Sequence, residues 1–311
     1  MRICGAVVLT VGALTRRELL ARLAGPGLYL RTGPFTSCIR SNSAALADGV
    51  MHMYGAYPLD ETGFADFHLQ LRRSTLWRRW FRPQVHFDHD GHVPFEPMPA
   101  DHAFPMLEWM LNWCVSTSAN TYLIIHAAVV EKNGRAMVLP APPGSGKSTL
   151  CAALVSRGWR LLSDELTLIG LDNHLVTPLA RPVSLKNASI TVMKGYAPDA
   201  QFTRSALDTS KGTVAHLRAP DASVARSAEP ARVAWVVFPR YQADAALTLT
   251  PIARARAFMR VAENAFNYSL TGTSGFAALG GVIDGCTSFD FTYSKLDEAI
   301  ALFDRMSQEP A

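Results

Sequence analysis

Charge of one sign is scarce in this chain. Of its 311 residues, 30 are Lys or Arg and 26 are Asp or Glu, leaving a formal net charge of +4. So small an excess, spread along the chain, argues against a nucleic-acid binder, which needs a clustered basic footprint. Lysine is rarer still and stands only at 132, 147, 186, 194, 211 and 295. The five cysteines, at 4, 38, 114, 151 and 286, are odd in number and scattered. No C-x-x-C or Cys/His ligand spacing joins them, which excludes a zinc module and a disulfide framework and predicts reduced thiols in a cytoplasmic protein. Uninterrupted apolar runs near 18 residues are also missing. The longest candidate, Tyr122–Val130, is broken by His126, so no membrane-spanning helix is expected.

What is present is ordinary globular material, 49% apolar and 18% charged, rich enough to build a core. The length predicts about two domains. The expected division is a small α+β domain over residues 1–118 followed by an α/β nucleotide-binding domain over 119–311. At the start, Ile3–Leu14 reads as structural rather than as a leader, because no small-residue cleavage site follows it. A capped helix is predicted over Thr15–Leu23, with Thr15 and Glu18 as a capping box. Short strands are expected at Leu28–Leu30, Phe35–Arg40, Phe67–Leu71 and Val85–Phe87, with a turn at Asp88–Gly91. Residues 105–119 carry Leu107, Met110, Leu111 and Cys114 at helical spacing.

The second half begins with strand Tyr122–Val130, an Asn133-Gly134 hairpin and strand Ala136–Leu139. Helix Lys147–Arg157 follows, ended by Gly158, and then strand Trp159–Leu162. A hairpin is expected through Leu166–Ile169 and Leu175–Leu179. The polar stretch from about 187 to 230 reads as irregular. Strand Val233–Phe238, ending at Pro239-Arg240-Tyr241, and helices Arg254–Asn267 and Lys295–Met306 complete the reading.

The sharpest signal is Ala141-Pro142-Pro143-Gly144-Ser145-Gly146-Lys147-Ser148. It matches the phosphate-binding pattern G-x-x-x-x-G-K-[ST], with Ala141 in place of the first glycine, and it joins a strand to a helix as that pattern requires. Glycines let backbone amides close around an anion, and the helix N-terminus adds positive partial charge. Gly144, Ser145, Gly146, Lys147, Ser148 and Thr149 are therefore the candidate nucleotide ligands. Lys147 would reach the β- and γ-phosphates, and the Ser148 hydroxyl would ligate Mg²⁺.

Such a loop needs a carboxylate from a nearby strand end, and Asp164-Glu165 follow the strand one helix away. Ser-Asp-Glu is also ordinary turn chemistry. Adjacent residues on an extended chain point to opposite faces, so both acids reach one metal only if the strand has ended. Asp164 is expected as the general base on an acceptor hydroxyl and as a possible metal ligand, Glu165 as metal support. His126 interrupts an otherwise apolar strand whose hairpin feeds into the loop, an arrangement that would bring its imidazole beside the γ-phosphate.

This order of histidine strand, hairpin, phosphate loop, short helix and acid-terminated strand resembles the HPr kinase/phosphorylase family. The likeness extends along the chain to the group called HprK-related kinase A, through GPGLYLRTGPF at 25–35, FPMLEWMLNWC at 104–114, PVSLKNASI at 182–190, KGTVAHL at 211–217, WVVFPRY at 235–241 and NAFNYSL at 264–270. The resemblance implies a mixed-sheet kinase domain like that of phosphoenolpyruvate carboxykinase, with ATP and Mg²⁺ as cofactors. It implies Lys147 and Ser148 on the phosphates and metal, Asp164 as proton acceptor, Glu165 where the parent family has Asp, and His126 as the active-site histidine. No L-E-I-R-G stretch is found, so the family's reverse reaction is not carried over.

The expected activity is transfer of the γ-phosphoryl group to a hydroxyl of a protein, peptide or small molecule. An ATP-binding scaffold with weak turnover and a simple NTPase are the alternatives. Self-association into a homo-oligomer is compatible with either. Further cations for the transferred group are sought at Lys186, Lys211 and Arg240. Asn264, Asn267 and Tyr268 could line a pocket or simply join helices. The basic, aromatic stretch 72–82 could dock an acidic partner, or could pack its Trp residues and leave its Arg residues in water.

Overall fold

A computed structural model describes residues 8–73, 83–89 and 96–308. The chain divides into two units, Met1–Leu111 and Asn112–Ala311, seven residues short of the expected boundary and inside a helix rather than at its end.

In the first unit, α1 (Arg16–Ala24) opens on the anticipated box. The Thr15 hydroxyl accepts the Glu18 amide, and the Glu18 carboxylate accepts the Thr15 amide at 2.7 Å. Two donors that a helix start would leave unsatisfied are thereby paired. Strands β1 (Leu28–Thr32) and β2 (Phe35–Ser41) form an antiparallel pair. A helix not foreseen, α2 (Ala44–Met53), crosses over to β3 (Phe67–Arg73), which runs parallel to β2. Gly49 weakens the helical signal of α2, but it is needed there. A Cβ at that position would lie 2.7 Å from the Phe104 ring. β4 (Gln84–Asp88) and β5 (Met98–Pro99) complete a five-stranded mixed sheet. Of the 72–82 stretch only Arg72 and Arg73 fall within the described residues, at the end of β3. The expected Asp88–Gly91 turn also runs beyond them, as do residues 3–7 of the Ile3–Leu14 start; Val11–Ala13 form a single 3₁₀ turn. Helix α3 (Ala103–Ser118) spans the division between the units.

The second unit is built on β6 (Tyr122–Lys132), β7 (Arg135–Pro140), β8 (Arg160–Ser163), β9 (Leu166–Gly170), β10 (Val176–Thr177), β14 (Arg232–Tyr241), β15 (Thr248–Pro251) and β16 (Thr287–Tyr293). Their order is β10-β9-β6-β7-β14-β16-β15, with β8 also paired to β6. β7, β14 and β16 are mutually parallel, whereas β6 is antiparallel to β7, β8 and β9. The sheet is therefore mixed. Asn133 and Gly134 both take positive φ, 55° and 77°, at the β6–β7 turn, the conformation for which Asn-Gly is suited.

Helix α4 (Lys147–Ser156) leaves the end of β7. One face of the sheet buries Leu123, Ile125, Val129, Val138 and Val236 against α7 (Arg254–Glu263) and α8 (Tyr268–Asp284). The last helix, α9 (Leu296–Gln308), clamps the β6–β7 hairpin. Its Asp304 accepts from Lys132 at 2.6 Å and from the Trp159 indole at 2.8 Å. Across β6 and β8, Glu131 and Arg160 form a buried ion pair at 2.7 Å, in register with each other.

The segment expected to be irregular is ordered. It holds α5 (Ala188–Tyr196), β12 (Ala206–Thr209), β13 (Gly212–Leu217) and α6 (Asp221–Ala225), and β11 (Val183–Lys186) leads into it. β11, β13 and β12 form a separate antiparallel sheet. Its polar edge residues hid the alternation that marks strands. β14 also continues through Pro239-Arg240-Tyr241 instead of ending before them, and α7 stops at Glu263, short of Asn267.

Candidate functional site

The loop between β7 and α4 takes its shape from two glycines in the left-handed region, Gly144 at φ 84° and Gly146 at φ 89°. Gly146 is confined twice over. A Cβ there would lie 2.5 Å from the Tyr293 hydroxyl and 2.9 Å from Cβ of Tyr241. The backbone amide of Tyr241 donates to the Ser145 carbonyl at 2.8 Å, and the Tyr293 hydroxyl donates to the Gly146 carbonyl at 3.0 Å. Two strand ends thus hold the loop from one side. Helix α4 starts at Lys147 with no side-chain cap, so its first-turn amides are open to an anion. The Ser145 hydroxyl oxygen is buried without a partner.

The acids occupy a two-residue bend between β8 and β9. β6 pairs with both strands, Val129 opposite Ser163 and His126 opposite Leu166. The bend therefore faces Ala127 and Ala128, and the strand has ended where both acids sit. Asp164 is 5% exposed. Its Oδ2 accepts the Ser184 amide at 3.1 Å, and its Oδ1 has no partner. Burial pushes the Asp164 carboxyl up to about 6, against the pull of Lys147, the Ser184 amide and the Ser148 hydroxyl, with Glu165 adding to the rise. Burial also raises Glu165, but Lys186, Lys147, Lys211 and His126 together outweigh it and leave that carboxyl below its usual range. Lys186 Nζ stands 4.0 Å from Glu165 Oε1.

Lys147 is itself buried. Its ammonium is depressed chiefly by burial, which Asp164 and Glu165 partly offset. Its Nζ lies 3.1 Å from Nε2 of His126. Burial first, and then the Lys147 charge, bring the imidazole down to about 4. A neutral ring at that distance accepts from the ammonium through Nε2, which places its own proton on Nδ1. The His126 amide donates to the Asn264 carbonyl at 2.7 Å, and Phe266 meets the ring edge-on at 5.7 Å.

His126, Lys147, Ser148, Asp164 and Glu165 therefore come together, and Lys186 and Lys211 join them from the three-stranded sheet. Lys186 closes β11, and Lys211 sits at the turn between β12 and β13. Arg240 does not join. It is exposed on β14, on the opposite side of β7 from the acids. Asn267 is fully buried and structural. Its amide side chain accepts from Ile124 and donates to the Tyr122 carbonyl, at 2.9 and 2.8 Å. Asn264 uses its side chain on the Arg260 carbonyl. Ser184 at the acidic bend and Tyr293 at the loop are not foreseen from the sequence. The alternation Phe289, Phe291, Tyr293 could have marked β16 as a strand and brought Tyr293 into view.

The family model for the SynChlorMet cassette protein ScmC matches residues 97–180, a span that includes His126, the glycine-rich loop and the acidic pair. Among solved structures, that of the Hpr(Ser) kinase/phosphatase from Coxiella burnetii aligns with 60% of this chain and 99% of that chain. The two are 13% identical, with a TM-score of 0.27. A comparison with curated proteins found no match. Among the described residues, no helix is long and apolar enough to cross a membrane.

Proposed function

We propose that the chain is an ATP-dependent phosphotransferase that moves the γ-phosphoryl group onto a hydroxyl of a protein, peptide or small molecule. The observation that carries this reading is the buried, unpartnered Oδ1 of Asp164 beside Ser148 and Lys147. An orphaned carboxylate oxygen deep in a protein is costly, and here it borders a loop suited to phosphates. The donor set fits Mg²⁺. Asp164 and Ser148 offer hard oxygens, and an ion of this kind takes its remaining ligands from phosphate and water. Bound among the phosphate oxygens, Mg²⁺ would offset the charge that builds up during transfer.

The chain's own residues supply the rest. Amides of the 144–148 loop hold the phosphate chain, and Lys147 donates to the β- and γ-oxygens. Neutral His126 accepts from Lys147 and so fixes where that ammonium points. Asp164 takes the acceptor's hydroxyl proton as the oxygen bonds to phosphorus, while the bond from phosphorus to the β-phosphate oxygen breaks and ADP leaves. A carboxyl whose proton affinity is raised by burial is suited to this task. Glu165, kept ionised, orients Lys186 and Lys211 toward the transferring group and lends a second carboxylate to the metal. Acceptor recognition or self-association is assigned to residues 1–118.

The test is incubation with Mg²⁺, γ-labelled ATP and fractionated host extract, alongside Lys147→Ala and Asp164→Asn. Label on an acceptor, lost in both variants, is the expected result. Free phosphate released at the same rate with and without extract would instead identify a hydrolase. Bound ATP without turnover would leave a scaffold.

A further inference from the structure

β7 has two neighbours in its sheet. On one side is β6, which carries His126 and holds the acidic bend; on the other is β14. If the γ end of a triphosphate sits at Lys147 and Asp164, beside β6, the β14 side of the loop is the one left for its nucleoside. At the end of β14 stands Tyr241.

Three observations single out this ring. It is 51% exposed, although its backbone is tied to Ser145 and its Cβ borders Gly146. It is held in place, edge-on to Tyr293 with centroids 5.7 Å apart and planes at 68°. Tyr293 in turn is buried, stacked on Phe291 at 5.3 Å and 10°, and Phe291 packs against Phe303 at 4.8 Å. An aromatic surface fixed by a buried ring stack and left half open to water gains by being covered, and little ordering remains to oppose it.

We infer that Tyr241 is the platform on which the base of the bound nucleotide stacks. This rests on the nucleotide-binding reading above and extends it from the phosphates to the base. Stacking uses the π-face that every base has, so this contact by itself favours neither adenine nor guanine.

The test is calorimetric titration, with Mg²⁺ present, of the full chain and its Tyr241→Ala and Tyr241→Phe variants. The ligands are ATP and inorganic tripolyphosphate, which has no base. Tyr241→Ala is expected to weaken ATP about tenfold or more, the usual range for losing a base–aromatic stack, while tripolyphosphate binds as before. Tyr241→Phe should bind ATP like the parent chain. Unchanged ATP affinity in Tyr241→Ala would overturn the inference. So would equal weakening of both ligands, because the ring would then merely prop the loop. A parent chain that binds neither ligand would overturn the nucleotide reading itself, an outcome separate from the other two.

Discussion

The Tyr293 hydroxyl donates to the carbonyl of Gly146 at 3.0 Å and so ties β16 to the glycine-rich loop. Burial raises the pKa of this phenol, which keeps it a proton donor across the neutral range. Tyr293→Phe preserves the ring stack but leaves a carbonyl without its partner. The expected cost is about 1 kcal/mol in stability, read from urea unfolding, with weaker tripolyphosphate binding because the loop loses a tether.

The two left-handed glycines should differ in tolerance. A Cβ at Gly144 meets nothing within 4 Å, so Gly144→Ala carries only the backbone strain of about 1–2 kcal/mol. Gly146→Ala adds the collision with Tyr293 and Tyr241. It is expected to lower thermal stability further and to abolish ATP binding. Equal melting temperatures for the two variants would contradict the packing described.

Asp164 is expected to trade stability for activity. Its carboxyl ionises at about 6 in the fold against 3.8 in water, so the native state holds the extra proton between those values. Stability should therefore fall as pH rises from about 4 to 6, and the penalty is complete above 6. Asp164→Asn removes it and should be about 2–3 kcal/mol more stable at pH 7.5, by denaturant unfolding. The same substitution should lower turnover at least about a hundredfold. In the parent chain, turnover should fall in acid as Asp164 takes up a proton, at a pH below 6 with Mg²⁺ bound, because the cation favours the ionised carboxylate.

For His126 the sign is opposite. Its imidazole is brought down from 6.5 to about 4, so its contribution to stability is complete above pH 6.5 and lost as pH falls toward 4. The ring should stay neutral from pH 5 to 8 by NMR of labelled histidine. A titration near 6.5 would mean that the ring is neither buried nor beside the Lys147 ammonium.

Local signals made much of the second unit readable. The Asn133-Gly134 turn, the strand–loop–helix around Lys147 and the strand ending before Asp164 each depend on residues close in sequence. The Thr15–Glu18 cap is of the same kind. What escaped reading depends on distant partners. Lys186 and Lys211 stand out as candidate cations in the sequence, but their meeting at Glu165 depends on the pairing of β11 with β13, and the low apolar content of that region concealed those strands. Gly49 is unfavourable inside a helix, yet the Phe104 ring occupies the space a side chain there would need. Arg240 stood at a strand end that suggested the transferring phosphate, but the order of strands sets β7 between it and the acids.

The bend at Asp164-Glu165 is anchored at both ends to one strand, β6, which also bears His126 and turns directly into the strand before the loop. The spacing of the acids from the histidine is therefore set by pairing across the sheet and not by how many residues lie between Ser148 and Ser163. Descendants of this chain could gain or lose residues around Gly158, where α4 gives way to β8, and keep the same constellation. A single residue gained or lost within β6 between His126 and Val129 would instead shift one half of the site against the other. Length variation in evolution should accordingly collect at the first place and be purged from the second.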